Sequence, residues 1–178
     1  MRNTLIILLS FPITLVLYIL LFSGNIKYSE EIVVNANIDT VLILLDNPYN
    51  MEKYMDGFNS YNVLSGTINK VGTKSKIIVN YIDEGSKEQK IMMIEEIIIN
   101  NLPEEKKVTY SSKGILNIVN NKLIKISETQ TKIINIQEFE FNGYMKIIGF
   151  FMPSTFKKQT KIYLHNFKNF VENNLSDK

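Results

Sequence analysis

Two adjacent carboxylates, Glu95 and Glu96, interrupt the apolar stretch Ile91–Ile99. Successive side chains of a pleated strand point to opposite faces, so one of the pair must face inward unless a bulge intervenes. An inward carboxyl in an apolar pocket has a raised pKa and could act as a general acid or base, or anchor a ligand. The plainer account, preferred on the sequence alone, sets the pair at an edge or rim. His165 is the one histidine of the chain and the default acid–base group. It lies two residues before Phe167, about 200° around a helix, which turns it to solvent. Glu138 and Glu140 alternate with Phe139 and Phe141 and read as a solvated face. No catalytic residue is assigned.

Other chemistries fare worse. The chain has no cysteine, which excludes disulfides, thiolate nucleophiles and cysteine-based zinc sites. With one histidine and no carboxylates at ligand spacing, neither a metal nor a cofactor is expected. Gly-rich phosphate loops are absent. Ser65, Ser111 and Ser112 have no histidine nearby in sequence to activate them. A formal net charge of +2 is too small to argue for nucleic acid. Met51, Met55, Met92, Met93, Met145 and Met152 could line an adaptable pocket, although methionines more often fill core gaps. Lys157, Lys158, Lys161 and Lys168 could meet anionic headgroups, at about 1 kcal/mol each, or form a plain solvated helix face.

The elements that must position these groups begin after an apolar head. Leu5–Phe22 is an 18-residue uncharged run that as a helix would span about 27 Å. Residues 1–23 are therefore expected to be an uncleaved transmembrane anchor with Pro12 as a kink, the alternatives being a cleaved secretory signal or a soluble apolar helix. Arg2 on one side, against Lys27 offset by Glu30 and Glu31 on the other, leans towards a single-pass protein with an extracytoplasmic domain. Residues 24–29 are expected to be a spacer and 30–178 one domain, whose composition, with 45% hydrophobic and 11% aromatic residues over the whole chain, can bury a full core.

Within that domain a strand is expected over Glu30–Asn35. A helix over Ile38–Leu45 follows, capped by Asn37 and broken at Asp46-Asn47-Pro48, and then a short helix over Asn50–Met55. Strands are expected at Ser60–Ile68, Lys74–Ile82, Gln89–Asn100, Lys106–Ser112, Lys122–Ser127 and Thr131–Phe141. Gly114–Asn121 either extends a strand or loops out. Phe156, Tyr163, Phe167, Phe170 and Val171 recur at helical period, marking one apolar face of a closing helix over Ser154–Asn174. Gly149 and Pro153 favour a break before it. The fold class is α+β, with about seven antiparallel strands, two short helices after the first and one long C-terminal helix.

The order Ile32–Asn35, Ala36-Asn37, Val41–Asp46, Asn50, Tyr54 and Gly57, then Ser60, Val63-Leu64 and Gly72-Thr73, resembles the opening of the START-like, polyketide cyclase/dehydrase superfamily, the helix-grip fold. Leu102-Pro103, Val108-Thr109-Tyr110, Thr131 and the final helix extend the resemblance over roughly Ser29–Glu172. Tyr54 and Asn37 stand where that family usually has Trp and Pro. The resemblance implies a curved sheet wrapped around the long helix, with a gap between them. The residues here that would line the gap are Tyr54, Met93, Tyr110, Phe156 and Tyr163. It implies a lipid or other hydrophobic small molecule as partner. The alternatives are a cyclase- or dehydratase-type enzyme using the same pocket, or an anchored interaction domain with a filled core.

Overall fold

The computed structural model describes residues 12–21, 23–82 and 88–176. A helix, α1, occupies 12–21. Next come β1 (Asn25–Val34), α2 (Ile38–Asp46), a 3-10 turn (Pro48–Asn50) and α3 (Met51–Tyr54). Six further strands follow: β2 (Phe58–Ser65), β3 (Lys74–Ile82), β4 (Glu88–Asn101), β5 (Glu105–Ser112), β6 (Ile115–Ser127) and β7 (Gln130–Phe141). Two helices, α4 (Met145–Phe151) and α5 (Pro153–Ser176), close the chain. The local signals act as expected. The side chain of Asn37 accepts from the Thr40 amide at 2.8 Å, capping α2. That helix stops at Asp46, and Met152 leaves helical geometry so that Pro153 opens α5.

All seven strands form one antiparallel sheet in the order β1-β7-β6-β5-β4-β3-β2. Asn25–Ser29, expected to be a spacer, form the first half of β1 and pair with Glu140–Ile136 of β7. That half lacks an apolar run but keeps a period of two through Ile26, Tyr28 and Glu30, which is enough when a neighbouring strand supplies the ladder. Gly114–Asn121 proves to be the start of β6, after a turn in which Gly114 takes φ +80°.

The helix α5 crosses one face of this sheet. Phe167 and Val171 are fully buried along it, with Leu164, and they meet Val34, Ile133, Leu123, Val41 and Tyr54 in a single core. Tyr54 of α3 is the hub, its ring lying 5.0 Å from that of Phe167 and 5.2 Å from that of Tyr163. Edge-to-face aromatic pairs at this spacing add to the area that they bury. Ion pairs from Lys157 (3.2 Å) and Lys161 (3.7 Å) to Glu30 fasten the N-terminal half of α5 to β1. Lys168 pairs with Glu172 at 2.9 Å and donates to the Val33 carbonyl at 2.6 Å. The lysine face is thus partly committed to the protein, and only Lys158 of the four has no such tie among the described residues.

The expected anchor, Leu5–Phe22, falls partly on residues 1–11 and 22, outside the described residues. Among the described residues no helix is long and apolar enough to cross a membrane. His165 is exposed, as its phase on α5 requires. Phe167→Ala should cost roughly 3–5 kcal/mol, whereas His165→Ala should cost under about 0.5 kcal/mol. Urea denaturation of the two variants checks the phase of the helix, and similar costs would contradict it.

Candidate functional site

Register places a row of inward side chains across the middle of the sheet. Ser75 of β3 lies opposite Glu95 of β4, Glu95 opposite Tyr110 of β5, Tyr110 opposite Asn117 of β6, and Asn117 opposite Phe139 of β7. Glu95 is thus the inward member of the carboxylate pair and is only 4% exposed. Glu96 faces the other way and meets Lys74 at 3.4 Å. The expectation of a rim position for both fails because the bulge in β4 comes after Glu95, between Ile97 and Ile99, too late to turn its side chain out.

Around Glu95 stand hydroxyls. Tyr61 donates to its Oε1 at 3.2 Å and itself accepts from the Ser75 hydroxyl at 2.8 Å. Tyr110 is a further hydrogen-bonding partner of the carboxyl. Tyr54 and Tyr163 share a hydrogen bond nearby, and Glu95 acts electrostatically on both. Burial raises the pKa of Glu95 above its ordinary 4.5, against the opposing pull of Tyr110, the Lys106 charge and Tyr61. Burial likewise pushes Tyr61 and Tyr163 up to about 12, so both remain neutral hydroxyls at physiological pH. Such a group can offer a proton, or hold a polar atom of a ligand, within an otherwise apolar wall.

Of the expected pocket residues, Met93 and Tyr110 belong to this face, Phe156 and Tyr163 to α5, and Tyr54 to α3. Tyr54, Tyr110 and Tyr163 converge with Glu95. Met93 is two residues away on the inward side of β4. Phe156 of α5 packs at 4.8 Å on Phe139 and 5.3 Å on Phe141, nearer the end of the sheet. Exposure of the inward side chains grows along β4, from 2% at Ile97 through 4% at Glu95 to 40% at Ile91, so the face opens towards that end. A separate cleft of about 670 Å³ lies at the β1–β7 end, bounded by Leu21, Ile26, Phe141, Lys146 and Phe150.

Sequence reasoning missed Tyr61, Ser75, Asn117 and Gln137, all inward. Parity along β7 carried the signal for one of them: Thr131, Ile133, Asn135, Gln137, Phe139 and Phe141 are its buried alternation. Asn135 and Gln137 therefore share the face of the two phenylalanines. Among the described residues no group of three His, Cys, Asp or Glu could hold a metal ion.

No protein-family profile matches the sequence, and no curated protein does. Solved structures of similar shape are distant in sequence. A conserved protein from Geobacillus kaustophilus superposes with a TM-score of 0.67 at 16% identity, over 85% of this chain and 96% of its own. The Zhui aromatase/cyclase from Streptomyces sp. R1128 gives 0.67 at 7% identity, over 85% and 96%. Norcoclaurine synthase from Thalictrum flavum, in complex with dopamine and hydroxybenzaldehyde, gives 0.62 at 13% identity, over 85% and 89%. The likeness shows the fold: a curved seven-stranded antiparallel sheet gripping a long C-terminal helix.

A raised folded-state pKa means that the neutral acid is the form the fold accommodates. The stability associated with Glu95 is then fully present below about pH 4.5 and is lost as pH rises through its folded pKa. Glu95→Gln should therefore be more stable than the parent at pH 8, with the difference vanishing towards pH 4. Tyr61→Phe should cost roughly 1–3 kcal/mol, because it strips a donor from Glu95 and leaves the Ser75 hydroxyl without its acceptor. Denaturation midpoints across that pH range check both.

Proposed function

We propose that the inward face of the sheet, beneath α5, binds a small, largely apolar molecule, with Tyr54, Met93, Tyr110, Phe156 and Tyr163 as its walls. The observation that carries this reading is Glu95, a buried carboxyl on an aromatic face that opens along β4. A sheet built for stability alone would place an apolar side chain at that position, since burying a carboxyl costs free energy that neighbouring hydroxyls only partly return. The structural neighbours agree in kind: one holds dopamine and hydroxybenzaldehyde, and another is an aromatase/cyclase.

An enzymatic reading draws on the same residue. Glu95, its pKa raised by burial and with the Tyr61 and Tyr110 hydroxyls around it, has the composition of a general acid with orienting partners. Acting on a polyketide-like substrate, it would make the protein a catalyst of the cyclase or dehydratase type. Glu95→Gln separates the two readings, since a binder keeps its affinity within a few-fold and a catalyst loses turnover while still binding.

We also propose that Leu5–Phe22 holds the domain at a membrane, with the domain on the extracytoplasmic side. Support comes from the end of the domain next to that run. Leu17, Tyr18 and Leu21 of α1, and Tyr144, Phe150 and Phe151 on and beside α4, are exposed. Lys146 of α4 donates to the Leu20 carbonyl at 2.9 Å and ties the two segments together. Exposed apolar side chains in such a group mark an interaction surface.

The full-length protein should remain with membranes through alkaline carbonate washing; release of a soluble form beginning near Asn25 would show a cleaved signal instead. Native mass spectrometry of the purified full chain should reveal one saturable site for a polyaromatic or lipid probe. Met93→Trp should weaken that binding several-fold and leave the domain folded. Absence of saturable binding across a panel of both probe types would leave the interaction-domain reading in place.

A further inference from the structure

Beside Glu95 the inward face carries two amide oxygens that no group among the described residues satisfies. They are Oδ1 of Asn117 and Oε1 of Gln137, both buried. Asn117 lies between Tyr110 and Phe139 in the row that contains Glu95, and Gln137 is two residues before Phe139 on the same strand and the same face. Gln137 is only 7% exposed. Two other unsatisfied oxygens, on Asn80 and Asn120, belong to the opposite parity of β3 and β6 and so face away from α5.

The direction of the Gln137 amide follows from its neighbours. Its Nε2 donates to Asn135 Oδ1 at 2.7 Å, and Asn135 Nδ2 donates to Asn121 Oδ1 at 2.6 Å. This relay ends beside Lys106, the cross-strand neighbour of Asn121, whose positive charge favours an oxygen over an amide nitrogen there. With its nitrogen spent on the relay, Gln137 presents an oxygen at the other end. The obvious protein donor is engaged elsewhere: Tyr28 is the cross-strand partner of Gln137, yet its hydroxyl is paired with Thr160 of α5 at 2.9 Å. Buried carbonyl oxygens are nearly always paired, with protein, water or ligand, because leaving one bare is costly.

We infer that the single hydroxyl proton of a bound molecule is shared between Gln137 Oε1 and Asn117 Oδ1, so that the site selects alcohols or phenols over their hydrocarbon and carboxylate analogues. The inference rests on the inward face being a ligand site. Two acceptor oxygens repel a carboxylate. A neutral hydroxyl supplies the donor that both oxygens lack and brings no charge into the apolar face. The aromatic rings of Phe139, Phe156 and Tyr110 suit the apolar body behind that hydroxyl.

The test uses naphthalene, 2-naphthol and 2-naphthoate with the full chain in lipid nanodiscs. Free ligand is fixed by dialysis, and binding is followed by the methyl resonance of Met93 in protein labelled with 13C-methyl methionine. One buried hydrogen bond corresponds to roughly tenfold in affinity. 2-Naphthol should therefore bind about tenfold more tightly than naphthalene, and 2-naphthoate more weakly than either. In Gln137→Leu and in Asn117→Leu the preference for the naphthol should shrink towards unity while naphthalene binding persists. Should Gln137→Leu fail to fold after losing the relay, Asn117→Leu and the three-ligand comparison decide alone. Equal binding of naphthalene and naphthol by the parent, or a preference surviving in a folded variant of either amide, would overturn the hydroxyl inference and leave the ligand site standing. No saturable shift with any of the three would remove the ligand site and the inference together.

Discussion

Antiparallel register from β3 to β7, continuous through the row that contains Glu95, decides which side chains this protein can use. Because the side-chain period of a strand is two, one register assignment fixes the facing of every residue on five strands up to the irregularities at Ile97–Ile99 and Lys125–Ser127. A slip of one residue in β4 would exchange Glu95 for Glu96, turning a buried acid among tyrosines into a solvent-facing partner of a lysine. The hydrophobic load on the inward face holds the register. Ile77, Ile97, Val108, Val119 and Ile133 are all buried there, and a slip would expose them together. The polar residues occupy inward positions that the apolar ones enforce.

The helix α5 depends on the same load. Phe167 and Val171 secure its C-terminal half to the core, whereas its N-terminal half rests on Phe156, on the Tyr28–Thr160 hydrogen bond and on the Glu30 ion pairs. Exposed ion pairs contribute little, typically under about 1 kcal/mol. Tyr163 and Leu164, at the middle of the helix, join the two halves through the Tyr54 ring and the core.

Much of this fold was legible because strong local signals agreed with one another. Asn37 and Asn47-Pro48 bracket α2, Pro153 opens α5, and the period of α5 places Phe167 inward and His165 outward. The five expected pocket residues came from the family resemblance, with Met93 and Tyr110 on strands and Tyr54, Phe156 and Tyr163 on helices. What stayed hidden depended on partners far along the chain. Asn25–Ser29 have a strand's alternation but no apolar run, and only β7 makes them a strand. The choice between Glu95 and Glu96 turned on where a bulge falls, which no residue of β4 announces. Tyr61 reaches Glu95 across 34 residues and Ser75 reaches Tyr61 across 14, through the β2–β3 and β3–β4 pairings. Asn117 and Gln137 were passed over as ordinary polar positions, although alternation with Phe139 and Phe141 already placed Gln137 inside.

A buried acid, two unpaired amide oxygens and a set of neutral tyrosines on one face run against the economy of a folded core. Each carries a desolvation cost that its protein neighbours only partly offset. Departures from local consistency concentrate where a protein does its work. The remaining charged group near them, Lys106, is accounted for structurally by Asp46 at 2.7 Å, with Asn100 and Asn69 completing the carboxylate's shell. That network is satisfied and tethers the end of α2 to the sheet. The contrast separates two parts of the polar interior: the Asp46–Lys106 end is satisfied and holds α2 in place, whereas the Asn117–Gln137 end beside Glu95 keeps acceptors that no described protein group uses.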